Sequence, residues 1–300
     1  MTSRGRYDRA QVWQMLKGNG SFHYIYTNDQ KTKGIPDFIP YFPAVDFYVY
    51  QKDDDSPVCD TKNVFLGNVI VSSAVKLKYD LEFLPNLITK ESQLVLDKVT
   101  SGENKMNFSR GIDERSVVKW SGEKIEWFYD SSKSGFQYKN LGEFPQTKKS
   151  EPKSTVSIDK VVLNFGGGIE SYNVKYVPQH NRKGVLDKTM YSEVSSEKEG
   201  RRIERFFNSN LVKFIFLITQ YSSGKMTQNE PIVANSIAIP PEGVTDYYHY
   251  FKLSKYQGYI KQMLELHGIS VAPKKKPKES IKTPKKEKPL VINVAHKPPY

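Results

Sequence analysis

The chain has 300 residues, a formal net charge of +12, and a single cysteine, Cys59. That length suits one large domain or two small ones with ample core, and the basic excess points to a polyanionic partner, nucleic acid or an anionic membrane. One cysteine excludes an intrachain disulfide framework and a cysteine-based zinc site, which fits a reducing compartment. No run of ~18 apolar residues is available to span a membrane, and "MTSRGRYDRAQVW" lacks the apolar stretch of a secretory signal. The expected location is therefore the cytoplasm or the nucleoid in association with DNA, with a virion as a further alternative, and not the secreted space.

In chain order, "YDRAQVWQMLKGNG" predicts a short helix from about Arg9, stopped by Gly18 and Gly20. "SFHYIYTND" follows as a strand. Pro36, Pro40 and Pro43 break the next stretch before a strand over Val45–Gln51, which leaves through three aspartates and a proline. "NVFLGNVIVSSAVKLKYDLEFLP" alternates as one or two strands. "LITKESQLVLDKVTSGEN" is helical, with Thr89 placed to cap it and Glu91 in its first turn. Residues 114–176 read as β-rich, interrupted by the polar loop "PQTKKSEPKST". Residues 195–221 are helical, bent or broken near Asn208-Ser209-Asn210, and "GVTDYYHYFKLSKYQGYIKQMLELHG" supplies a last helical turn and helix. Residues 272–300 hold nine lysines against Glu279 and Glu287, a net +7 that leaves +5 for residues 1–271. This tail buries too little apolar surface to order itself and is expected to be disordered.

Candidate chemistry is sparse. In "VVLNFGGGIE", residues 161–170, bare glycine amides could approach a phosphate, but "ESYNVKYV" reads as a second strand rather than the required helix, which favours a hairpin. The five histidines have no ligand spacing. "PDF" at 36–38 and "ENK" at 103–105 are the triplets that a metal-dependent nuclease would need. "IPP" at 239–241 and "KPPY" at 297–300 lack the amide or carboxylate oxygen that would accept from a target amine.

Residues 206–219 carry an apolar face, with Phe207, Leu211, Phe214, Ile215 and Ile218 at helical spacing and Phe216 and Leu217 widening it. The longer stretch "RRIERFFNSNLVKFIFLITQYSSGKMTQNEPIVANSIAIPP" resembles the late segment of TaqI-like adenine-specific DNA methyltransferases and related type II restriction–modification enzymes. Further pieces fall in the matching order: "IPYFPAVDFYVYQKD" (39–53), "LEFLPNLITKESQLVLDKV" (81–99), "KGVLDKTMYSEVSSEKEGRRIERFFNS" (183–209) and "YFKLSKYQGYI" (250–260). The family's cofactor glycines and catalytic Asn-Pro-Pro-aromatic loop precede these pieces and have no counterpart here. The resemblance thus implies the C-terminal half of such an enzyme.

The expected fold class is α+β, a β-rich middle with a helical C-terminal part, resembling a methyltransferase target-recognition domain. The expected divisions are 1–55, a remnant of the last strands of the catalytic core; 56–271, a DNA-binding recognition domain; and 272–300, the basic tail. The resemblance implies a target-recognition module that holds double-stranded DNA while an adenine is flipped out. Catalysis and S-adenosylmethionine would belong only to a partner catalytic chain, with no catalytic, cofactor or metal residue here. The helix would be scaffold and the flanking loops would read DNA, combining Arg and Lys for phosphate or guanine with Asn and Gln for adenine edges. The candidates are Arg110, Arg115 and Lys119; Lys133 and Lys139; Arg182 and Lys183; and Lys225, Gln228 and Asn229. Two alternatives stay open: a non-enzymatic DNA-packaging or virion-type protein that binds through its tail, and a metal-dependent endonuclease.

Overall fold

A computed structural model describes residues 2–3, 9–28, 45–65, 68–111, 127–130, 137–139, 155, 158–164, 169, 172–181, 183–185, 189–219, 230–269 and 271. It is an α+β structure. The calls on "PDF", "KPPY" and the tail lie outside these residues.

The first layer is a five-stranded sheet in the order β1-β3-β2-β4-β5, with β1 (Thr2–Ser3), β2 (Gly20–Asn28), β3 (Val45–Lys52), β4 (Val58–Phe65) and β5 (Asn68–Lys76). The expected division near residue 55 falls inside this sheet, between β3 and β4. Helix α1 (Arg9–Leu16) lies on one face and ends where the Gly18 and Asn19 amides both bond back to Leu16 O. Trp13 is buried there, stacks on Phe22 and Tyr79 at 5.4 and 5.2 Å, and donates its Nε1–H to Leu81 O at 2.7 Å. A large aromatic can be buried in this way because its one polar hydrogen finds a carbonyl. Ile25, Cys59, Val75, Leu77, Leu84 and Ile88 complete this smaller core.

The second layer is helical. Helix α2 (Lys90–Thr100) starts as the sequence predicts: Thr89 Oγ1 accepts from Ser92 N at 3.1 Å, and Ser92 Oγ accepts from Thr89 N at 2.8 Å. Two otherwise unpaired amides are satisfied reciprocally. The predicted break at 208–210 separates α3 (Glu197–Phe207) from α4 (Asn210–Thr219). Asn208 makes that break a joint, because its Oδ1 accepts from Val174 N at 3.0 Å and its Nδ2 donates to Val174 O at 2.7 Å. Helices α5 (Glu230–Ser236), α6 (Tyr247–Tyr250) and α7 (Gln257–Leu266) follow. The apolar face expected on α4, Phe216 and Leu217 included, is buried, and so are Val212 and Thr219. The helix is thus enclosed on nearly all sides at the centre of the main core, and its one charged group, Lys213, has its pKa lowered by burial.

The third element is a four-stranded sheet in the order β10-β9-β12-β6, made from β6 (Ser109–Arg110), β9 (Lys160–Asn164), β10 (Asn173–Val177) and β12 (Met190–Glu193). Strands β9 and β10 pair antiparallel from Asn164↔Asn173 to Lys160↔Val177, so the glycine segment 165–168 joins two strands of a hairpin. A small sheet, β11-β7-β8, adds β7 (Trp127–Asp130), β8 (Gln137–Lys139) and β11 (Lys183–Val185). Helix α3 rests on β10 through Gly200, where any β-carbon would overlap the Tyr176 ring. Gly200→Ala therefore forces overpacking and is expected to destabilise the fold by about 1–3 kcal/mol, read as a lower urea midpoint at unchanged slope. An unchanged midpoint would show that the Tyr176 ring can swing away.

Candidate nucleic-acid interface

Of the ten candidate residues, Arg110 is described with its side chain. It is exposed on β6, the edge strand of the four-stranded sheet, with its backbone opposite Met190. The next amide, Gly111 N, bonds to Thr189 O at 2.7 Å. Lys139 and Lys183 are described by backbone alone. Arg115, Lys119, Lys133, Arg182, Lys225, Gln228 and Asn229 lie outside the described residues.

The described elements still fix where the candidate loops leave the core. Asn235, on α5, clamps the chain just before β6: its Oδ1 accepts from Phe108 N at 2.6 Å and its Nδ2 donates to Phe108 O at 3.0 Å. Loop 107–120 departs from this point. Segment 220–229 ends at Glu230, five residues before Asn235 on the same helix and so about 7.5 Å along its axis. The clamp thus ties Phe108, two residues before Arg110, to the helix whose first residue, Glu230, follows segment 220–229. Nothing in the sequence reading identified Asn235; its signal is a lone amide within the apolar run "PIVANSIAI". Removing it leaves an N–H and a C=O unpaired, so Asn235→Ala is expected to cost about 2 kcal/mol in thermal unfolding. An unaltered melting curve would remove the clamp from the argument.

The small sheet relates the other two loops. Strand β11 pairs parallel to β7 with Lys183 opposite Trp127, and β8 pairs antiparallel to it with Lys139 opposite Phe128. Lys183 and Lys139 therefore flank β7 at the same end, about 10 Å apart across two strand spacings. Segment 131–136, which carries Lys133, joins β7 to β8 at the opposite end.

Beneath the Asn235 clamp lies a cleft of about 380 Å³ lined in part by Lys78, Asp80, Glu82, Lys105, Ile232 and Asn235. Two lysines against two carboxylates make it no anion site. Lys78 is moreover committed, with Nζ 2.9 Å from Asp80 and 3.3 Å from Asp97. Partial burial pulls its pKa down, and these two carboxylate contacts more than offset that, so the net shift is upward. Glu103-Asn104-Lys105 is structural: Asn104 O accepts from Ile239 N, and Lys105 bridges to Ala238. Pro240 is buried, and its carbonyl accepts from Arg202 at 2.7 Å. Among the described residues there is no group of three His, Cys, Asp or Glu side chains that could hold a metal. Among them, too, no helix is long and apolar enough to cross a membrane.

Neither a family model nor a curated protein sequence matches the chain.

Proposed function

We propose that this chain is a DNA-binding target-recognition module of an adenine-specific DNA methyltransferase or restriction–modification system. In this reading it lacks cofactor-binding and catalytic motifs of its own. Its partners are double-stranded DNA and a separate catalytic subunit that supplies S-adenosylmethionine. The observation that supports the reading is the Asn235 clamp, which ties the strand carrying Arg110 to the helix that follows the polar segment with Lys225, Gln228 and Asn229. Rigid support for polar contact segments is what base reading requires, because phosphate contacts set the register and groove-edge contacts set the sequence. The net charge of +12 supplies the long-range attraction.

The test is selection from a random duplex library with the full chain at near-physiological salt. Enrichment of one short motif is the expected result. Recovery of DNA without a motif would replace the reading with a general, charge-driven binder, and failure to retain any duplex would end it. Given a motif, mixing the chain with the methyltransferase cores encoded beside it should restore methyl transfer to that motif. Failure with every such core would remove the split-enzyme part alone.

A further inference from the structure

Among the described residues, the five-stranded sheet has elements packed on one face and none on the other, and that other face is largely apolar. A β-bulge at His23 sets this arrangement. Phe22 pairs with Tyr50, but Tyr24 pairs with Val49, so the pleat reverses between them. Phe22 and Ile25 turn into the core beneath α1, while Tyr24 and Tyr26 fall on the other face with Val49 and Phe47. Across the sheet one row reads Phe47, Tyr26, Lys62, Val71. Three strand spacings make it about 14 Å wide. Phe47 and Val49 are 43% and 44% exposed and Val71 is 67% exposed. Tyr24 packs its ring against Phe47 at 6.3 Å. Although β2 and β4 pair parallel, the other pairs in this sheet are antiparallel; a sheet face in water ordinarily carries polar residues, and a largely apolar one of this kind marks an interaction surface.

The charges on that face identify what covers it. Asp60 and Lys62 are two residues apart on β4, hence on the same face and about 7 Å apart. Lys62 has no ion-pair partner among the described residues, and Asp60 Oδ1 accepts only an uncharged amide, Ala74 N at 2.9 Å. One positive and one negative group flanked by apolar side chains form a self-complementary patch. A two-fold axis through its centre sets Lys62 of each copy against Asp60 of the other and apolar against apolar, as an isologous interface requires. We infer that the outer face of this sheet, centred on Tyr26, Phe47, Lys62 and Val71, is a docking surface for a second copy of this chain. The face measures on the order of 400 Å² in plan on each copy, from four strands by about six residues, so about 800 Å² across both copies, below the ~1,200 Å² at which stable specific interfaces begin and in the range of weak, transient contacts. The expected dimer is a micromolar one. The inference does not depend on DNA binding.

Sedimentation velocity of the full chain from 1 to 200 µM tests it. A monomer–dimer transition in the micromolar range is expected. Val71→Lys alters only an exposed position and should raise the dissociation constant at least tenfold, with the melting temperature unchanged. Lys62→Asp gathers two acids on each copy and should weaken the dimer at low salt, with the deficit shrinking in 0.5 M salt, whereas the Val71→Lys deficit should persist. A chain that is monomeric at 200 µM overturns the inference and assigns the face to a different partner. Dimers unaffected by both substitutions overturn it as well, by placing self-association elsewhere.

Discussion

Phe214→Ala should lower stability by about 3–5 kcal/mol, the range for removing a buried phenyl ring from a core that relaxes only partly. Phe214 is fully buried in α4, and its ring meets Tyr259 of α7 edge-on at 5.8 Å. Tyr259 continues the chain of contacts, with its hydroxyl 3.3 Å from Thr89 Oγ1, the group that caps α2. The cavity would therefore open where three helices meet. Against a total stability of about 5–15 kcal/mol for an ordinary domain, that is a large fraction. Phe214→Leu keeps most of the volume and should cost much less. Chemical unfolding of both variants measures the difference. If DNA binding is confirmed, the surviving folded fraction of Phe214→Ala should keep the same sequence preference, because Phe214 itself is fully buried and touches no DNA. A near-wild-type midpoint would show that the site refills. A changed preference at intact stability would contradict the view of α4 as scaffold.

What the sequence made legible was local. The Thr89 cap, the stop of α1 at Gly18 and the break at Asn208-Ser209 each depend on residues within a turn of one another, so the chain announces them. The hairpin over the glycine segment was legible for the same reason. The parallel pairing of β11 with β7 joins positions 56 residues apart, Lys183 with Trp127, and no periodicity encodes such a choice. The bulge at His23 was hidden because "SFHYIYT" reads as unbroken alternation, which would put Phe22, Tyr24 and Tyr26 on one face. The burial of α4 was legible too, since Phe216 and Leu217 widen its apolar face until little of the helix is left for water. The candidate contact residues were chosen by type within loops. Type says nothing about which elements are tied together; that came from the amide of Asn235, whose partner Phe108 is 127 positions away.

Deleting residues 272–300 should produce the largest change in DNA affinity and the smallest change in fold. The segment holds nine of the chain's 45 Lys and Arg residues and +7 of its +12 net charge. Each phosphate neutralised on duplex DNA contributes about 0.9 to the slope of log affinity against log salt. Engagement of half of those lysines contributes about 4 to the slope and, at low salt, about 10²- to 10³-fold in affinity. The truncated chain should therefore bind more weakly and less salt-dependently. Its melting temperature should stay unchanged, because a Lys- and Pro-rich segment has too little apolar surface to contribute to a core. The competing accounts part over sequence. Base contacts are set by groove-edge geometry rather than by counterion release, so a recognition module should enrich the same motif with and without the tail. A binder that works through its tail should lose retention altogether, with no motif left to recover. Should the truncated chain instead keep full affinity and slope, the remaining +5 on residues 1–271 would have to carry the electrostatics, and the candidate loops would become the place to look for them.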